Sequence, residues 1–323
     1  MFNFIKKTDW FIFGLLIMIV CSYLFPQLGN ENVQNTLNLA SEIGISLVFL
    51  FYGCRLSISE IRKDISNWKL HLLVQSSSFI LFPLLILPFY FLASNPDDKV
   101  IWLAMLFLAA LPSTVSSSVV MVSIAKGNIT AAIFNASISG LIGIFLTPLW
   151  MGLFMKLGST DTNFVDILIS LVLKIVLPIT IGVMLNKYVG VWFNKHKKKF
   201  GNFDKSVILS IVLLSFSKSF SEHIFSNIST GRIVLLIVAV IALFVIVYYT
   251  MKTLGSVFKL NRADSITLLF CGSKKSLMHG SVFTKILFTG SAGIGIFLVP
   301  IMIYHAMQII IISIIAQKKG KEA

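Results

Sequence analysis

Charge is scarce in this chain, and negative charge scarcest: charged residues make up 12% of the 323, with 13 Asp and Glu against 27 Lys and Arg, while 56% are hydrophobic. A soluble domain of this length carries about twice that charged share, so the balance excludes one and indicates a polytopic membrane protein. The three cysteines (Cys21, Cys54, Cys271) fall inside apolar segments without metal-ligand spacing, which argues against disulfides and zinc. Catalytic signatures are missing too: the chain has no Gly-x-Ser-x-Gly elbow, no His-Glu-x-x-His and no phosphate-binding loop, so it is not expected to be an enzyme, and no cofactor is called for. The formal net charge of +14 does not mark a nucleic-acid binder, because the basic residues sit in short segments between apolar runs. Residues 10–25 follow Lys6 and Lys7, but Phe25-Pro26-Gln27 offers no small-residue cleavage site, so a retained first helix is expected.

What the chain does have is apolar windows of spanning length. They predict an all-α polytopic membrane protein of ten transmembrane helices, over residues 10–25, 39–58, 70–93, 100–125, 129–155, 165–187, 205–222, 233–251, 264–287 and 293–316. The loops alternate in basic content. Lys99, Lys156 and Arg232 stand on one side, and Lys174, Lys218, Lys274, Lys275 and Lys285 lie within spans. The remaining Lys and Arg fall on the other side, which places both termini in the cytoplasm and the protein in the cell membrane. The run Lys195-His196-Lys197-Lys198-Lys199 reads as a cytoplasmic loop at the lipid surface.

Ten spans divide into two groups of five, residues 1–157 and 158–323, and an odd-numbered unit that repeats must be inserted upside down the second time. The two halves are interrupted at matching places. In the fourth span Leu111-Pro112-Ser113-Thr114-Val115-Ser116-Ser117-Ser118 removes a backbone donor and supplies hydroxyls for the groups it frees. In the ninth, Cys271-Gly272-Ser273-Lys274-Lys275-Ser276 sets two lysines in an apolar segment. One such lysine costs roughly 2.5–3.5 kcal/mol on insertion scales, so the pair calls for protein or water around it. Each interruption is followed by a hinge, Lys126-Gly127-Asn128 and Thr289-Gly290-Ser291. Read singly, the first interruption is a proline kink with serines bonding back to the helix. Paired breaks in inverted halves point to a transporter site at the bilayer midplane.

Candidate binding residues follow: Ser113, Thr114, Ser116, Ser117 and Ser118 at the first break, and Cys271, Gly272, Ser273, Lys274, Lys275 and Ser276 at the second. Gln75, Asn135, Ser139, His305 and Gln308 are polar residues of neighbouring spans, and His305 and Gln308 share one helix face. His279 follows Lys275 by one turn and reads equally as a proton partner or a packing residue. Glu42, Glu222 and Asp264 lie close to span ends, so the central spans are electropositive and favour a small organic anion as substrate, in a lipid bilayer. One lysine of the pair is a candidate proton carrier and the coupling ion is either a proton or sodium. A membrane scaffold that transports nothing is the alternative, and an anion channel a third reading.

Several stretches carry a resemblance. They are Asp9-Trp10-Phe11, Tyr52 to Ser57, Trp68 to Gln75, Phe82-Pro83-Leu84-Leu85, Leu111 to Asn128, Ile133 to Ser137, Cys271 to Leu277, and His305 with Gln308. On these the chain resembles the bile acid:sodium symporter superfamily, most closely the sodium/bile acid cotransporter 7-like branch. The resemblance implies two inverted five-helix repeats, a panel domain of spans 1, 2, 6 and 7, and a core domain of spans 3–5 and 8–10 in which broken helices 4 and 9 cross. It also implies where sodium ligands of relatives would fall. A Ser-Asn pair falls on Ser117 and Ser118, two hydroxyls on Ala132 and Ala136, a glutamate on Cys271 and a glutamine on Lys275. A third-helix glutamine falls on Ser78, one turn from Gln75. Only Ser117 and Ser118 keep side chains suited to that ion.

Overall fold

The computed structural model describes residues 10–56, 67–114, 116–155, 169–223, 229–288 and 293–322. Helices are the only regular structure among them, and seven are long and apolar enough to cross a membrane. The chain is an integral membrane protein. In order the helices are α1 (Trp10–Leu24), α2 (Glu31–Arg55), α3 (Trp68–Leu92), α4 (Pro96–Ala110), α5 (Ser116–Ile124), α6 (Ile129–Met155), α7 (Ile169–Lys195), α8 (Lys197–Ser221), α9 (Thr230–Val257), α10 (Arg262–Gly272), α11 (Leu277–Leu287) and α12 (Ile294–Lys321).

Three expected windows are not single long helices. The first is a 15-residue helix, α1. The window 100–125 is divided into α4 and α5, and 264–287 into α10 and α11, as the two interruptions predict. The lysine run at 195–199 is no loop: α7 continues to Lys195, α8 begins at Lys197, and His196 is the only residue at the corner. Lysine is a good helix former, so a charged run at a membrane edge extends a helix as readily as it ends one. The hinge at Lys126-Gly127-Asn128 is present, with Lys126 in the left-handed region at φ 56. Its counterpart at 289–291 lies outside the described residues.

The helices form two units. One gathers α1, α2, α7 and α8 with residues 281–298, and the other α3 to α6, α9, α10 and the greater part of α12. In the first unit α2 and α7 touch backbone to backbone. A Cβ on Gly53 would run into the Ile179 carbonyl oxygen, and one on Gly182 into the Leu50 carbonyl oxygen. Small residues permit that approach, the usual basis of helix association in lipid. Ionic pairs add to this: Lys174 of α7 meets Glu42 of α2 at 2.8 Å, and Arg55 of α2 meets Asp204 of α8 at 2.9 Å.

In the second unit α3 is not uniform. Ser77–Leu81 is a π-helical turn and Leu87–Leu92 is 3₁₀. A π turn leaves carbonyls without their usual helical donors, and here outside donors reach them. Trp150 Nε1 donates to the Phe79 carbonyl at 2.8 Å, and the Ser78 carbonyl serves the site described below.

The glycine contact predicts an asymmetric pair of variants. Gly182→Ala has backbone in its way and lowers stability by about 1–3 kcal/mol, seen as a lower melting temperature in detergent. Gly201→Ala, with nothing within 4 Å of the added carbon, is neutral or stabilising.

Candidate functional site

Both broken helices expose carbonyls that hydrocarbon cannot satisfy, and the second unit supplies a donor to each of those named here. Helix α4 ends at Ala110, and Leu111–Thr114 leaves the helical path. The Lys275 ammonium donates to the Ala109 carbonyl at 2.6 Å and to that of Leu111 at 2.7 Å. Thr147 Oγ1 donates to the Ala110 carbonyl at 2.7 Å, and the Ser276 amide to that of Pro112 at 2.9 Å. On the other break, Ser113 Oγ donates to the Cys271 carbonyl at 2.6 Å, Ser77 Oγ to Gly272 at 2.7 Å and Tyr304 to Ser273 at 2.7 Å. The breaks therefore satisfy each other, with α3, α6 and α12 completing the set.

Glycines let side chains pack closely where these segments meet. A Cβ on Gly272 would lie 2.7 Å from Met251 Sδ, and one on Gly280 would lie 2.8 Å from Leu111 Cδ1. Gly143 receives Pro112 in the same way.

The two lysines differ sharply, although both are sealed from solvent, at 0% and 1% exposure for Lys274 and Lys275. The Lys275 ammonium has three hydrogens and three carbonyl acceptors, the third being Ser78 at 2.7 Å on the π turn of α3. Phe82 presents its ring 4.0 Å from the nitrogen. Two acceptors lie at the C-terminal end of α4, where the helix dipole also favours a cation. Gln308 fixes the backbone of the same residue: its Oε1 accepts from the Lys275 amide at 2.9 Å, and its Nε2 donates to the Lys275 carbonyl at 2.8 Å.

Lys274 makes one hydrogen bond among the described residues, a long one of 3.4 Å to Ser117 Oγ. Ser117 donates in turn to Thr114 Oγ1 at 2.9 Å, and Thr114 shares a hydrogen with Ser118 at 2.7 Å. Among the described residues neither lysine forms an ion pair. Asp264, at the far end of α10, is held by Asn128 and Asn261.

The expected residues thus fall into groups. Ser113, Ser139, Cys271, Gly272, Lys275, Ser276 and Gln308 meet at the crossing, where Ser139 Oγ accepts from the Ser113 amide at 2.9 Å. Ser273 bonds back to Leu269. Thr114, Ser117, Ser118 and Lys274 form the hydroxyl group beside it. Gln75 and Asn135 form a separate pair, Gln75 Nε2 donating to Asn135 Oδ1 at 3.2 Å, and Asn135 Nδ2 reaches His71 Nδ1 at 2.9 Å. His305 joins the crossing through Gln308, at 3.1 Å. His279 faces Ser276. The Ser116 side chain lies outside the described residues. Among the described residues no group of three His, Cys, Asp or Glu is placed to hold a metal.

Sequence reasoning did not single out Thr147 or Tyr304. Tyr304 had a signal, since it sits beside His305; its ring meets those of Phe82 and Phe244 edge to face.

Comparison with known proteins places the chain in a family. Residues 9–321 match the model of the SBF-like CPA transporter family. An Escherichia coli (strain K12) protein named "Putative symporter YfeH" is 33% identical, covering 98% of this chain and 94% of its own. "Uncharacterized protein PA2026" of Pseudomonas aeruginosa is 32% identical over 97% of this chain and 93% of its own. The Xenopus laevis sodium/bile acid cotransporter 7-B is 30% identical, over 96% and 91% respectively. A match that runs almost from end to end, on a chain whose two interrupted helices complete each other, means that this protein belongs to the SBF-like CPA transporter family.

Proposed function

We propose that the chain is a secondary active transporter that moves a small organic anion across the cell membrane by alternating access, without sodium. The observation that carries this reading is the Lys275 ammonium, sealed from solvent and held by three carbonyls and a ring. The resemblance assigns Lys275, Ser78 and Cys271 to a sodium ion in relatives, and here the Ser78 carbonyl binds the ammonium. A tethered cation carries the charge and directional hydrogen bonds needed at such a place. Being covalently attached, it cannot cross with the substrate, so the driving force must come from another gradient. The relatives' name speaks of sodium and bile acid. In this chain the sodium-ligand positions at 132, 136 and 271 hold Ala, Ala and Cys.

On this reading the chain has ten spans in two inverted five-helix repeats, with both termini in the cytoplasm. The seven continuous helices, the short α1 and the two broken pairs supply these spans. The unit of α1, α2, α7 and α8 is the panel, and the unit of α3 to α6, α9, α10 and α12 is the core. Broken helices belong in this scheme because backbone at membrane depth is tolerated only where protein satisfies it or a cavity receives it. A scaffold without transport would keep the crossing but would have no need of Lys274, whose burial is poorly compensated.

Uptake of organic anions into proteoliposomes, with counterflow of labelled substrate, tests the reading. Saturable counterflow supports a carrier, linear flux indicates a channel, and no uptake across a broad panel favours the scaffold. Exchanging sodium for potassium is expected to leave uptake and melting temperature unchanged, and a clear rise with sodium would overturn the tethered-cation reading. Lys275→Met strips three buried carbonyls of their donor at about 1–3 kcal/mol each. It is expected to lower the melting temperature strongly or to prevent folding in detergent.

A further inference from the structure

Lys274 is the poorly matched group of the site. Every hydrogen of the neighbouring ammonium has an acceptor within 2.7 Å, whereas Lys274, at 0% exposure, has a single hydrogen bond among the described residues, at 3.4 Å. An ammonium offers three donors, so at least two meet no acceptor among the described residues. Burying such a group without partners is costly, and proteins rarely retain one that has no use. No carboxylate among the described residues pairs with it, and Asp264, at the far end of α10, is already bound by two asparagines. What fits this place is an anion from outside the chain.

We propose that Lys274, with the hydroxyls of Ser117, Thr114 and Ser118, is the receptor for the carboxylate of a small organic monoanion, and that Lys275 takes no part in contacting it. The proposal rests on the transporter reading for the class of substrate. Its division of labour comes from the geometry of the two side chains. Ser117 Oγ already lies in line with the ammonium, and its hydrogen points to Thr114. Turning that hydroxyl, and the Thr114 and Ser118 pair behind it, would present hydrogens to a carboxylate without moving the backbone. One ammonium with unused donors matches one negative charge, which favours monocarboxylates over dianions. The hydroxyls provide directional contacts at the edge of the carboxylate, where a lysine acts more as a point charge.

The test uses the purified full-length protein and two small probes matched in shape, potassium acetate and uncharged acetamide, at constant potassium chloride. Acetate is expected to raise the melting temperature in a saturable way and acetamide is not. Lys274→Met should weaken the apparent Kd for acetate at least tenfold. In the absence of acetate it should melt at the wild-type temperature or above, because it removes a poorly solvated charge while keeping the length of the side chain. Ser117→Ala is the second variant, expected to weaken acetate several-fold with little effect on ligand-free melting.

Equal stabilisation by acetate and acetamide, an unchanged acetate Kd in Lys274→Met, or a Lys274→Met that fails to fold while Ser117→Ala binds acetate as the wild type does would each overturn the site. Uptake is read separately. Acetate binding of the expected kind without uptake of any organic anion would sink the transporter reading and leave the receptor standing. Counterflow that survives in Lys274→Met would do the reverse.

Discussion

A helix that breaks inside a membrane leaves carbonyls facing a medium that offers no hydrogen, and the second unit of this protein is arranged around that constraint. The most economical solution would be several serines, each bonding back to its own helix. The chain instead places one ammonium where it reaches carbonyls of α3 and of the end of α4 together. A group with three donors on a flexible stem can join two segments of backbone through three carbonyls, which no single hydroxyl could. The consequence is mutual dependence: α4 is capped by a residue of the second break, and the second break is capped by Ser113 of the first. Each break draws part of its capping from the other.

Mutual capping also decides what kind of motion the unit can support. Because the donors come from α3, α6 and α12 as well as from the breaks themselves, opening the crossing would orphan many buried groups at once. Such a unit is expected to move as one body, which suits a transporter whose site travels with a rigid element. Clusters of single hydroxyls answer to a different logic. The Lys274, Ser117, Thr114 and Ser118 chain is held by side-chain bonds alone, so its hydrogens can be redirected without breaking the backbone arrangement.

The sequence made the breaks legible for reasons that were local. Pro112 removes a donor and Lys274-Lys275 violates the cost of charge in lipid, so each is visible without knowledge of any partner. Most span boundaries were legible as well, since hydropathy reports burial in lipid directly; Thr230–Val257 and Ile129–Met155 lie close to their windows. What stayed hidden was pairing at long range. The acceptors of Lys275 are backbone carbonyls of Ser78, Ala109 and Leu111, and a carbonyl has no letter in the sequence. Thr147 and Tyr304 look like any hydroxyl on an apolar helix until the carbonyl that each one meets is known. The two lysines were likewise indistinguishable, because adjacent residues in an irregular segment point in directions that only tertiary structure sets.

The lysine run at 195–199 teaches the same lesson from the opposite side. Its charge argues for a place outside lipid, but charge does not specify backbone, and only His196 interrupts the helical path there. Propensity and tertiary contacts then decide: α7 and α8 continue to the corner, where Phe193 stacks on Phe200 with ring centroids 4.3 Å apart. Composition settles which medium a segment occupies, and capping settles where its helix ends. At the two breaks the caps come from elsewhere in the chain, and those breaks are the places where a function can be built, since a backbone satisfied by side chains leaves room for a side chain that is not.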